Sequence, residues 1–219
     1  MGAFKELSKN FFKDIVQTAE NLNYSKSNIL ILKGDEDALK SDYPNVYDNL
    51  LSCNHNRDKR TYIEYGQDLV ASWLFEDVLV ESLRNHGIQI SLSGADNNRE
   101  ILATSKVSSN SDTTISYNGH SIQMELMSDY TGYWSRTHKI DLRDEKYTKL
   151  KNSNSLFLGI STVDTKFVLL DFRKEIRYQY HRYHRPYGGK PCYSIEIVES
   201  DLLQFKVEIL IEKLKQILK

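Results

Sequence analysis

Two acids, Asp112 and Glu125, stand on either side of Asn118-Gly119, the strongest short hairpin signal in the chain. A two-residue turn there sets Tyr117 against His120, Ser116 against Ser121, Ile115 against Ile122 and Thr114 against Gln123. Asp112 then falls opposite Glu125. Side chains alternate along a strand. One face of the hairpin therefore carries Asp112, Thr114, Ser116, Ser121, Gln123 and Glu125, and the other carries Ile115, Ile122, Met124 and Leu126. The two carboxylates would have their Cβ atoms roughly 5 Å apart. Like charges so placed destabilise a sheet unless one acid takes a proton or a cation sits between them. Magnesium takes hard oxygen ligands, and a bound magnesium can activate water and offset charge on a phosphate. A bulge near the turn would separate the acids, and a polar hairpin face that merely meets water is the plainer alternative.

The elements that must position these acids follow from periodicity. Residues 4–22 and 67–85 show apolar residues at helical spacing, with Gly87 where a helix C-cap belongs. Residues 29–33 read as a short strand or helical turn, and 34–62 as loops with short helical pieces. Residues 88–92, 156–160, 166–172 and 193–198 read as strands, and 142–151 as a charged surface helix. Ser200 is placed to cap an amphipathic helix running to Lys219. The expected fold class is mixed α/β (α+β), with a central mixed sheet flanked by helices.

The chain has 219 residues, 40% hydrophobic and 27% charged, with a formal net charge of −1. That suits one soluble domain, with a core at about 66–172, an arm at about 173–190 and a C-terminal helix at 200–219. No apolar run has membrane-span length, and the polar start lacks a secretory signal, so a cytoplasmic protein is expected. Cys53 and Cys192 are far apart and read as free thiols, without zinc-ligand spacing.

Adding the helix around Glu76 gives a pattern that resembles the PD-(D/E)XK nuclease superfamily, which includes many type II restriction endonucleases. Phe75-Glu76-Asp77-Val78-Leu79, ending at Gly87, resembles the first core helix of that family. Ser111-Asp112-Thr113 resembles the start of its second core strand, and Ile122-Gln123-Met124-Glu125-Leu126-Met127 its third. The resemblance spans about residues 70–172. It implies a restriction-endonuclease-like core, Mg2+ as cofactor with Glu76, Asp112 and Glu125 as ligands, double-stranded DNA as substrate and a homodimer. Met127 departs from the lysine that the family places there. In a second alignment Gln123 takes the acid's place and Glu125 the lysine's, and Lys139 is a candidate to reach back and replace the lysine.

Residues 173–190 interleave Arg173, Lys174, Arg177, Arg182, Arg185 and Lys190 with Tyr178, Tyr180, Tyr183 and Tyr187. Cations contact phosphates and aromatic rings stack on unpaired bases, so Arg177, Arg182, Arg185, Tyr187 and Lys190 are candidate DNA contacts. A solvated pair of strands is the plainer reading. His181 and His184 as zinc ligands are disfavoured because no third ligand stands near in sequence. Residues 128–139 read as a polar loop after the acid-bearing strand, with Arg136, His138 and Lys139 placed to meet a phosphate and Trp134 in the core. The leading expectation is a site-specific Mg2+-dependent DNA endonuclease of the type II restriction kind. The alternatives are a non-catalytic nucleic-acid-binding protein on the same fold, and a repair or RNA-directed nuclease.

Overall fold

A computed structural model describes residues 35–52, 61–93, 113–129, 131–161 and 163–219. The expected helix at 4–22, the element at 29–33, Cys53 and Asp112 lie outside the described residues. The chain divides into two compact units, one holding the described residues up to His86, the other holding Gly87–Leu92 and the described residues from Thr113 onward.

The first unit is helical. Helix α1 (Glu36–Asp42) starts at Asp35, whose carboxylate accepts the Ala38 N–H at 3.0 Å. Helix α2 (Pro44–Ser52) and the long α3 (Tyr62–Asn85) follow. Leu39 and Leu50 are fully buried against α3 at Gly66, where a Cβ would clash with Leu50 Cδ1. The short helical pieces expected at 34–62 are α1 and α2, and the helix expected at 67–85 is the later part of α3. No helix among the described residues is long and apolar enough to cross a membrane.

The second unit holds two sheets. Strands β1 (Gln89–Leu92), β2 (Thr113–Tyr117) and β3 (His120–Asp129) form an antiparallel meander. After β3 come the short helix α4 (Tyr133–Thr137), β4 (Lys139–Arg143) and α5 (Asp144–Asn152). Strand β5 (Leu156–Ser161) then returns to lie parallel to β3. Strands β6 (Lys166–Asp171) and β9 (Leu203–Gln204) complete a six-stranded sheet in the order β1-β2-β3-β5-β6-β9. Its mixture of parallel and antiparallel pairs is the mixed central sheet expected from the sequence, in a mixed α/β chain. The second sheet has the order β4-β8-β7, with β7 (Tyr178–His184) at an edge and β8 (Lys190–Glu196) in the middle.

The register of β2 against β3 is the one the Asn-Gly turn implies: Tyr117 faces His120, Ile115 faces Ile122 and Thr114 faces Gln123. Asn118 and Gly119 have φ of 51° and 82°, the left-handed pair a type I′ turn needs. Ile115, Ile122 and Met124 are buried, as the alternation requires, while Ser121 and Gln123 are exposed.

Strand β5 is buried along its whole length, as a strand covered on both faces should be. Gly159 has a packing reason: a Cβ there would lie within 2.9 Å of Trp134, Phe157 and Val168. Trp134 is 3% exposed and belongs to the core expected for it.

Two expectations need correction. Residues 128–139 are not one polar loop, because β3 runs on to Asp129 and Tyr133–Thr137 form α4. Asp129 builds that turn by accepting from the Thr131 and Trp134 backbone N–H groups at 2.9 and 3.0 Å. Ser200 does not cap the last helix. It lies in a one-turn 3-10 segment, β9 then pairs with β6, and the last helix, α6 (Val207–Ile217), starts only after Lys206.

Candidate active site

Glu125 sits where β3 leaves the hairpin and takes β5 as its parallel neighbour, opposite Phe157. It is only 4% exposed. A lone carboxylate in such a place would be costly, so partners are required. They come from α5, in the crossover between β3 and β5. Lys146 Nζ lies 2.6 Å from Glu125 Oε1, and Lys149 Nζ lies 3.3 Å from Oε2.

The sequence of α5 explains this placement. Tyr147 and Leu150, three residues apart, are its buried stripe. Tyr147 stacks on Tyr193 at 3.9 Å between ring centroids and meets Phe172 edge-on at 5.6 Å. Lys146 and Lys149 precede those two residues by one position each and therefore share the flank beside Glu125. The two amines beside the carboxylate offer positive charge that suits an anion such as a phosphodiester.

Two amines from α5 thus flank Glu125, while Met127 offers none. Lys139, expected to reach back, is instead a β4 residue opposite Glu196. Met127 packs against the core cluster around Trp134 and Phe157. Gln123 is exposed. Glu76 is half-buried on α3 and belongs to the other compact unit. The Asp112–Glu125 pairing lies outside the described residues on the Asp112 side.

A second polar cluster was not foreseen. Asp141 on β4, His184 at the end of β7 and Cys192 on β8 bring one ligand-type atom each within 4.8 Å of one another. Asp141 is 8% exposed and Cys192 fully buried. Asp141 Oδ1 accepts from Ser194 Oγ at 2.5 Å, and Oδ2 accepts from the Tyr133 hydroxyl at 2.8 Å. His184 Nε2 lies 3.2 Å from Asp141 Oδ2. The Tyr187 hydroxyl donates to the Asp141 carbonyl at 2.6 Å. Burial pushes the Tyr187 phenol up to about 12, and burial with the nearby Asp141 pushes the Cys192 thiol up to about 11. The reason given for setting histidine ligands aside, that His184 has no further donor near it, fails in space: Asp141 and Cys192 arrive from other strands.

The arm expected at 173–190 is β7, a 3-10 turn and the start of β8. Arg177, Arg182, Arg185 and Lys190 are exposed. Tyr178, Tyr180 and Tyr183 are 48%, 49% and 73% exposed, high values for large rings. Tyr187, by contrast, has turned its hydroxyl inward to Asp141. Arg136 is exposed and donates to the Thr131 carbonyl, and exposed His138 lies 3.7 Å from Glu199.

No family model matches the chain, and comparison with curated proteins found no match. Among solved structures, the chain is similar to Hjc, a Holliday junction resolvase from Archaeoglobus fulgidus, an archaeal hyperthermophile. The identity is 12%, the match covers 63% of this chain and 98% of that one, and the TM-score is 0.36.

Proposed function

We propose that the chain is a metal-dependent nuclease that hydrolyses DNA phosphodiester bonds, with Glu125, Lys146 and Lys149 at its centre. The observation that carries this reading is a buried carboxylate bracketed by two lysines on a strand that resembles the acid-bearing strand of PD-(D/E)XK nucleases. Glu125 supplies hard oxygen donors, the type Mg2+ takes. Among the described residues it belongs to no cluster of three donors, so Asp112 is the acid proposed to complete the ligand set. Bound Mg2+ would supply activated water and offset charge on the phosphate.

The chain's own residues have distinct roles in this reading. Lys146, nearer to Glu125, orients the carboxylate and takes the place of the lysine absent at Met127. Lys149 lies within reach of the same group and neutralises charge on the bound phosphodiester. Arg177, Arg182, Arg185 and Lys190 on the exposed arm hold the backbone further along, and Arg136, His138 and Lys139 add contacts beside α4. The finer reading is a site-specific endonuclease of the type II restriction kind, acting on duplex DNA as a homodimer.

A second reading rests on the lysines themselves. With both Glu125 oxygens engaged, the site could serve phosphate binding alone, as in a non-catalytic nucleic-acid-binding protein. Incubation with Mg2+ and duplex, single-stranded and branched DNA, and with RNA, separates these readings. Discrete duplex fragments support the site-specific enzyme, and smeared fragments a nonspecific one. Preference for single strands, branches or RNA supports a repair or RNA-directed nuclease. Binding without any cut supports the binder. Lys146→Ala should lower cleavage by about a hundredfold if the lysine acts in the reaction.

A further inference from the structure

The cluster of Asp141, His184 and Cys192 differs in donor chemistry from the Glu125 site, and its construction points to a ligand. Along β8, Cys192 and Ser194 share a face, and Asp141 on β4 is the direct partner of Ser194. Cys192 pairs on its other side with His181 of β7. Regular alternation would put His184, three residues on, on the opposite face. The register shifts between His181 and His184, and this irregularity brings His184 back over Cys192. The two histidine rings lie 5.8 Å apart, on the same side of the strand.

Three strands thus send an oxygen, a nitrogen and a sulfur donor to one point. The carboxylate is oriented from behind by Ser194 and Tyr133, and Tyr187 packs 5.0 Å from the His184 ring. Such outer partners on the carboxylate are what a metal-ligating group requires. The imidazole itself is incompletely satisfied: His184 Nδ1 is buried and has no hydrogen-bond partner. A buried, unpaired ring nitrogen calls for an explanation, and a bound ion is one that this donor set can supply.

We propose that Asp141, His184 and Cys192 form a binding site for a borderline-soft divalent ion of the Zn2+ class. A thiolate and an imidazole select such an ion over Mg2+, which prefers oxygen donors alone. Three protein donors leave a fourth position to water. Cys192 binds as the thiolate and its proton passes to solvent. The ion ties β4, β7 and β8 together and so fixes the edge strand that carries the basic, tyrosine-rich face.

The test uses the full chain stripped with a chelator and reloaded with Zn2+ or Co2+ alone. Wild-type protein should retain one Zn2+ per chain, and its Co2+ form should show thiolate-to-cobalt charge-transfer absorption. Cys192→Ser should abolish that absorption. His184→Gln, at a partly exposed position where folding is readily preserved, should weaken Zn2+ binding at least about tenfold and remove the rise in Tm that Zn2+ gives wild type. Circular dichroism checks that each variant is folded. Glu125→Gln should keep the cobalt spectrum, so this site is judged apart from any nuclease activity. Folded wild type that takes up no stoichiometric Zn2+, or a folded His184→Gln with wild-type affinity, would overturn the proposal.

Discussion

Glu125 and Asp141 are both buried carboxylates, 4% and 8% exposed, and the chain treats them in opposite ways. Glu125 is answered by two full positive charges from a helix. Asp141 is answered by two hydroxyls, an imidazole and a nearby thiol, all on or beside a small sheet. The first cluster presents amines that suit an anion such as a phosphate. The second offers lone pairs and is suited to a cation. Burial makes both acids dependent on their partners, and the charge of those partners, not burial, decides what each site can receive.

Substitutions can break this contrast from either side. The largest effect is expected at Glu125. Glu125→Gln should reduce DNA cleavage by more than about a hundredfold, while Asp141→Asn should leave the rate within a few-fold of wild type. On stability the order reverses. Asp141→Ala strips the acceptor from two hydroxyls, Ser194 and Tyr133, and should cost about 3 kcal/mol in urea unfolding. Gly159→Ala tests the packing between the sites. Its Cβ would enter the contact of Trp134, Phe157 and Val168, and about 2 kcal/mol of destabilisation is expected.

Charge on the arm should act only through DNA. Arg182→Ala should weaken binding evenly across sequences and lower the salt slope by about one unit, with unfolding unchanged. The smallest effect concerns Asp171. Arg173 bonds its carboxylate at 2.8 Å and holds it below the ordinary carboxylate range. The folded chain therefore releases this proton more readily than the unfolded chain. The resulting stability is complete above the unfolded value of about 3.9 and fades as pH falls through the lower folded value. Arg173 is 43% exposed, so Arg173→Gln should flatten that acid limb by less than about 1 kcal/mol.

Local signals in the sequence were legible where the chemistry was local. Asn118-Gly119 set the register of the hairpin, and the apolar residues at 69–83 marked the helix. Lys146 and Lys149 read only as residues of a charged helix, because nothing short-range shows that a crossover returns them to Glu125. The second cluster was hidden more deeply. Its three donors lie on three strands, and the irregularity in β7 that turns His184 inward leaves no mark in an alternating Tyr-His-Arg sequence. The last helix was started too early because Ser200 resembles a cap, whereas Leu203 and Gln204 are taken up by pairing with β6.

The central claim is that the lysine-bracketed Glu125 works on a phosphodiester. Its most direct test is nicking of supercoiled plasmid by wild type and Glu125→Gln, with Mg2+ and with excess chelator. The account predicts Mg2+-dependent nicking by wild type that chelator stops and that folded Glu125→Gln lacks. Equal nicking by the two proteins, or DNA binding by wild type that never yields a nick, would contradict it.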